Sequence, residues 1–370
     1  MEATTASSFL SSSLPSLQAF MPPTPETYII ALFIFQYFPV FSIIQWLTSF
    51  HPAGKTSLSR SFLNFPGRLG WFIMEIVGPA NLLYTLGSSS SSSSSSHHHN
   101  GPVFWALPWP NKLVAALYLT HYANRAIISP FFMAPSMSPI HLLVIAMAVA
   151  FNWLNSTCIA GWVLGYPVPV RGYATGGGLV AEQPSRAVAV LPYVGVVVFG
   201  LGMLGNIRAE RTLFQLRREE ADKRATKKVD STGPGAASYS KVYVIPPAAG
   251  LFRSILYPHY VCEWLEWVGF VLVGTAVYPS ASLVAAPASS AVFGSAASLL
   301  PLRLVPWLTP AAALAERLGV PLPLPAVVFV VNAVTNMLPH ARWGRKWYVQ
   351  KFGDEAVAGR GAVVPYFPWM

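Results

Sequence analysis

The sequence predicts an all-α polytopic membrane protein, a bundle of seven transmembrane helices. Three observations carry that prediction. Hydrophobic residues make up 53% of the 370 and charged residues only 10%, with a mean hydropathy of +0.47, where a soluble domain carries about 25% charged residues. Seven stretches reach the roughly 20 mostly apolar residues that a spanning helix needs. The 24 Lys and Arg residues are spread very unevenly over the connections between those stretches.

Residues 1–27 read as a disordered N-terminal segment, and 28–370 as one membrane domain. The first span, about 28–48, follows no basic n-region of a cleaved signal, so it is expected to be retained. The second, about 69–86, is apolar apart from Glu75. Ser88–Ser96 followed by His97–His99 makes 87–101 a low-complexity loop that cannot build a core. Spans at about 104–122, 139–163 and 187–207 follow. The charged and Ser/Thr/Gly/Pro-rich stretch 218–240 reads as a solvated cytosolic insertion. The last two spans are about 261–286 and 323–339. The apolar run 288–308 contains Pro301 and Pro306 and is open to three readings: a short extra span, a re-entrant piece or a lumenal loop.

Orientation follows from the basic residues. With seven spans and a lumenal N-terminus, the cytosolic segments 49–68, 123–138, 208–260 and 340–370 hold 19 Lys and Arg, against five on the other side: Lys112, Arg171, Arg186, Arg303 and Arg317. That asymmetry predicts a cytosolic C-terminus. The same clustering disposes of a nucleic-acid reading of the +10 net charge, since the basic residues sit in loops rather than along an aromatic-interleaved face. Cys158 and Cys262 both lie in apolar or membrane-edge sequence and imply no disulfide framework.

Gly200-Leu-Gly202-Met-Leu-Gly205 matches a dinucleotide-loop pattern literally, but it lies inside an apolar span with no strand before it. Small residues that let helices approach closely explain it better. The polar residues inside or beside the spans are costly and point to function by default. Glu75 either makes a helix-packing hydrogen bond or serves as a proton donor that polarises a carbonyl. Tyr122, in His121-Tyr122-Ala-Asn-Arg125, is an interface-belt tyrosine or part of a polar cluster. Asn206, Glu210 and Arg217 share one face if the fifth span continues as a helix. An amide and a carboxylate there suit ribose hydroxyls or a carboxamide, and an arginine suits a phosphate; a salt-bridged helix end is the plainer alternative. Glu263 and Glu266, wrapped by Trp264 and Trp267, need cations or hydroxyls to offset their repulsion. His259, Tyr260, Trp347, Tyr348 and Lys351 repeat an aromatic-plus-cation theme that interface anchors would also produce.

Three segments, Asn206 to Arg217, Ile245-Pro246 through Leu251-Phe252 to Glu266-Trp267, and Lys346 to Asp354, resemble in order the steroid 5α-reductase family, also called 3-oxo-5α-steroid 4-dehydrogenases. That family includes polyprenol reductases and trans-2-enoyl-CoA reductases. The resemblance covers about 68–75, 115–165 and 195–370, so that 28–370 reads as a membrane reductase domain whose reductase-like region is about 139–370. It implies a seven-helix membrane bundle of the endoplasmic reticulum, NADPH as hydride donor and a lipid substrate with an α,β-unsaturated carbonyl. By the same resemblance Glu75 and Tyr122 are catalytic. Arg125, Asn206, Glu210, Arg217, His259, Glu263 and Tyr348 are then cofactor-binding, and no metal is expected.

The chain departs from that pattern. Gly344 stands where steroid enzymes have a histidine, Ser129 where they often have a tyrosine, and Val244 where they have an arginine. Gly344 and Val244 support one rival reading, an inactive lipid-binding homologue; a second is a membrane methyltransferase of the isoprenylcysteine or phospholipid type, which also places a cofactor pocket at the cytosolic end of a small bundle.

Overall fold

The structure, a computed structural model, describes residues 15–48, 61–88, 103–171, 186–232, 239, 242–277 and 301–367. Helices account for nearly all of the regular structure among them. The exception is an antiparallel pairing of β1 (Asn64–Phe65) with β2 (Ile140–His141), in the register Asn64 to His141.

The described chain takes up structure before the expected start at residue 28. A turn at Leu17–Ala19 leads to Thr24, which caps α1 (Pro25–Phe35) by a reciprocal exchange with Thr27. Proline at the first helical position completes that start. The helix breaks at Gln36 and resumes as α2 (Phe38–Leu47), where Pro39 cannot donate to a continuing ladder. Polar side chains from elsewhere satisfy the break: Asn332 donates to the Phe35 carbonyl at 2.8 Å, and Gln36 bonds Arg303 O at 3.1 Å and Val305 N at 3.3 Å. Buried backbone groups at a break in an apolar span need such partners.

Then come α3 (Gly67–Ser88), α4 (Trp109–Tyr122), α5 (Leu142–Val163), α6 (Arg186–Thr232), α7 (Pro258–Gly274), α8 (Thr309–Leu318) and α9 (Leu324–Phe352). Helix α4 runs straight into a π-type helix over Ala123–Met133. Within α3, Pro79 removes the helical hydrogen bond to the Glu75 carbonyl, which loosens the helix at the turn bearing that carboxylate.

Among the described residues, five segments are long and apolar enough to cross a membrane: Pro25–Leu47, Gly67–Ser88, Leu142–Val163, Ala189–Thr226 and Leu324–Phe352. The expected spans at 104–122 and 261–286 correspond to α4 and α7, which have 14 and 17 residues. The former is cut short as an α-helix by its change to π geometry; the latter ends at Gly274 with Thr275 as its cap, and residues 278–286 of the expected span lie outside the described residues.

The stretch 218–240, expected as a solvated insertion, is helical as far as Thr232. Good helix formers and i,i+4 pairs favour this: Gln215 to Glu219 at 2.9 Å and Arg224 to Glu220 at 2.8 Å. Of the ambiguous run 288–308, residues 301–308 are described and do not form a span. Leu302 pairs in parallel with Val170, and Leu304, Val305 and Leu308 are buried against the bundle before α8 starts. Most of the loop 87–101 lies outside the described residues.

The main core joins Tyr28, Phe35, Tyr118, Ile159, Trp267 and Phe329. Phe33, Ile43, Leu83, Leu143, Val197 and Leu204 point outward and stay exposed, as side chains that face lipid do. Helices α6 and α7 approach closely because glycines line the crossing. A Cβ on Gly202 would lie 2.6 Å from Glu266 Cα, and one on Gly269 would lie 2.7 Å from Phe199 Cα. The glycine run read as a helix-packing feature thus has Gly202 at that crossing, while Gly200 faces open space.

Candidate active site

Four elements deliver ionisable side chains to one place. Arg125, on the π-type helix, sits at the centre. Its guanidinium lies 3.5 Å from Glu75 of α3, 3.3 Å from Glu210 of α6 and 3.7 Å from Glu263 of α7. The Trp71 ring covers it at 4.7 Å, and the Trp71 indole donates to the Arg125 carbonyl at 3.0 Å. Asn206 donates to Glu263 at 3.2 Å, and Ser129 donates to Glu210 at 3.1 Å. Burial works against the Arg125 charge, but the carboxylates of Glu263, Glu75 and Glu210 outweigh it and raise the guanidinium pKa.

Tyr122 stands beside this cluster. Its hydroxyl donates to Asn152 Oδ1 at 2.8 Å, and Asn152 Nδ2 in turn donates to the Met74 carbonyl at 2.6 Å. The phenol is thereby fixed to the turn of α3 that precedes Glu75. The Tyr118 ring lies 4.6 Å from that of Tyr122, and Asn155 donates to the Tyr118 hydroxyl at 3.4 Å. His121 Nδ1 pairs with Glu266 at 2.8 Å, and its ring sits 4.4 Å from that of Trp267. The two neighbouring carboxylates of α7 therefore avoid each other by taking different partners: Glu266 takes His121, and Glu263 takes Arg125 and Asn206.

Arg217, His259 and Tyr348 do not join the Arg125 cluster. They belong to a second group nearer the ends of α7 and α9. Arg217 bonds Val242 O at 3.1 Å and Ser136 Oγ at 2.8 Å. Rings of Tyr257, His259, Tyr260 and Tyr348 follow one another at 4.7 to 6.2 Å. Tyr260 feels Arg125, Glu263 and Glu210 electrostatically, so it lies between the two groups. A cleft beside Glu210, lined by Asn124, Ser129, Ile207 and Phe214, opens between the π-type helix and α6.

Asn152, Tyr118 and the His121–Glu266 pair were not among the residues picked out for chemistry from the sequence. An asparagine in an apolar span, three residues before Asn155, was the available signal for Asn152; nothing in the sequence pairs His121 with Glu266, 145 residues away.

A helical membrane protein with a buried carboxylate–guanidinium site is the class these observations define. No protein-family model matches the chain. It is 28% identical over 321 residues to an uncharacterized protein of Schizosaccharomyces pombe, covering 85% of this chain and 90% of that one. It is 26% identical over 344 residues to steroid 5-alpha-reductase DET2 of Solanum lycopersicum, covering 92% and 95% of the two chains. With human 3-oxo-5-alpha-steroid 4-dehydrogenase 1 it shares 25% over 228 residues, 62% and 70% of the two. These likenesses, all below 30% identity, support a relation to the steroid 5-alpha-reductase family.

Proposed function

We propose that this chain is an NADPH-dependent reductase of the endoplasmic reticulum membrane, with seven spans and a cytosolic C-terminus. Its reaction is the reduction of the C=C bond of an α,β-unsaturated carbonyl lipid: a 3-oxo-Δ4 steroid, a polyprenol-type enone or an enoyl thioester. The observation that supports this most is the meeting of Glu75, Arg125, Asn206, Glu210 and Glu263 at one point, with Tyr122 alongside. The relatives named steroid 5-alpha-reductase and 3-oxo-5-alpha-steroid 4-dehydrogenase support the reaction class.

The donor set suits a dinucleotide. Asn206, Glu210 and Glu263 offer an amide and carboxylates to ribose hydroxyls and a carboxamide, while Arg217, His259 and Tyr348 offer donors to phosphate. Arg125 then holds the carboxylates in register rather than reaching the phosphates. When bound, NADPH supplies the hydride that adds to the β carbon. The protein must then stabilise charge on the carbonyl oxygen, which donors already in place do best. Tyr122, held by Asn152, gives one O–H. Three carboxylates around one guanidinium repel one another unless they share a proton, and that proton lets Glu75 act as the second donor.

The test is NADPH oxidation by purified protein against a panel of enones and enoyl-CoAs, with S-adenosylmethionine binding measured in parallel. Saturable NADPH binding and enone-dependent oxidation are expected. A folded preparation that binds S-adenosylmethionine and no NADPH overturns the reading in favour of a methyltransferase.

A further inference from the structure

Gly344 lies in the interior of α9, where glycine is the poorest helix former after proline. The structure shows what the missing side chain makes room for. A Cβ at this position would collide with the hydroxyl of Tyr257 and lie 2.5 Å from its Cζ. The phenol thus occupies the place that a side chain on α9 would take, and it arrives from another element, at the residue preceding α7.

The Tyr257 ring is fixed there from its backbone. Tyr257 N donates to Ala362 O at 2.9 Å and Leu256 N donates to Gly361 O at 3.0 Å, beside the parallel bridge from Ile255 to Gly361. The side chain is buried. Burial, and then the neighbouring Tyr348 and Tyr260, push its pKa well above the ordinary phenol value, so it stays a neutral O–H donor. Its ring lies 5.6 Å from that of His259 and 6.2 Å from that of Tyr348. Arg217 and Arg360 both act electrostatically on Tyr348. A hydroxyl set among these groups serves a ligand rich in phosphate and ribose oxygens, and adds little to an apolar core.

We propose that Tyr257 is a further cofactor-contacting residue, its hydroxyl seated in the space left by Gly344 and donating to a phosphate or ribose oxygen of the dinucleotide beside His259 and Tyr348. This rests on the NADPH reading above. It also accounts for the glycine at 344, because the donor is moved from α9 to the start of α7 rather than lost.

The experiment measures NADPH affinity by fluorescence titration and unfolding temperature, on the full chain in detergent. Y257F is expected to weaken NADPH binding by roughly tenfold, the worth of one hydrogen bond to a charged group, with little change in unfolding temperature. Y257L should weaken it at least as much. The double variant Y257L/G344S should regain affinity over Y257L, because a serine at 344 carries its hydroxyl one bond from Cβ, close to where the phenol oxygen sits. Parent-like NADPH affinity in Y257F overturns the proposal, and so does a folded Y257L/G344S no better than Y257L. A parent protein that binds no NADPH overturns the functional reading beneath it, an outcome distinct from either.

Discussion

Around Arg125 three carboxylates face one guanidinium, whereas around Tyr348 phenols and an imidazole lie among arginines whose hydrogen bonds go largely to backbone carbonyls. Arg360 donates to Val357 O, Pro246 O and Ala356 O, and Arg217 to Val242 O and Ser136 O. The first region has its charges paired with one another, so any loss leaves a buried charge exposed to a low dielectric. The second has its charges held by main chain and its phenols neutral, so it tolerates loss more easily. On the proposed function, the difference separates a place where protons and developing charge are managed from a place where a polar ligand is gripped, and it sets the order of the expected effects.

The largest effect belongs to Arg125→Ala. Each of its three carboxylate partners has a side chain less than one-fifth exposed. Removing the shared cation leaves like charges together, and breaking a buried pair this way costs about 3–5 kcal/mol. Thermal unfolding in detergent should show a large fall, while the same substitution at Arg217 should show a much smaller one. Equal falls would erase the contrast between the regions.

Next come Glu75→Gln and Tyr122→Phe. Both keep the shape of the site: the first replaces an acid by an amide that cannot transfer a proton, and the second removes a hydroxyl donor. Turnover should drop by roughly 10²- to 10³-fold, the usual worth of an oxyanion donor, with NADPH affinity kept within a few-fold. Single-turnover rates and equilibrium titration separate the two readouts. Loss of NADPH binding in both variants would move these residues from chemistry to cofactor grip.

Much of this contrast was legible in the sequence, but by different routes. Apolar stretches could be placed because hydrocarbon selects for apolar length, and a helix stands at each, five of them long and apolar enough to span among the described residues. Glu75, Glu210 and Glu263 stood out because carboxylates beside apolar runs are costly. Their common partner was not readable: Arg125 reaches them from a π-type helix, a geometry with no clear sequence signal, and the contacts span 50 to 138 residues. Arg217 shows the limit of helical periodicity. It continues the face of Asn206 and Glu210, yet its guanidinium is drawn to Ser136 and Val242. The same limit applies to 218–232, where local composition suggested solvated chain and i,i+4 pairing gave helix. Tyr257 was invisible because its role depends on an absent side chain 87 positions later.

A change in the scaffold between the regions should have a middling effect. Gly202→Ala introduces a Cβ against the backbone of Glu266 and Cys262. Backbone has no rotamer to yield, so α6 and α7 must part, at about 1–3 kcal/mol. Because α7 carries both Glu263 and Glu266, activity should fall along with stability. Gly200→Ala, which meets open space, should leave both unchanged. A pair of variants with the same unfolding temperature would show that the close crossing does not hold the carboxylates in place.

The smallest effect tests the gripping region directly. Tyr348 is buried on α9, with its ring 6.2 Å from Tyr257 and 5.5 Å from Trp347, so Tyr348→Phe keeps the packing and removes one hydroxyl. A hydrogen bond of this kind contributes about 1 kcal/mol net, or a five- to tenfold change in affinity. The NADPH dissociation constant should rise by that factor, and turnover at saturating cofactor should stay near the parent value, because the hydroxyl is remote from the Glu75 and Tyr122 donors. If turnover at saturation falls instead, the aromatic group takes part in the chemistry, and the division between the two regions fails at Tyr348.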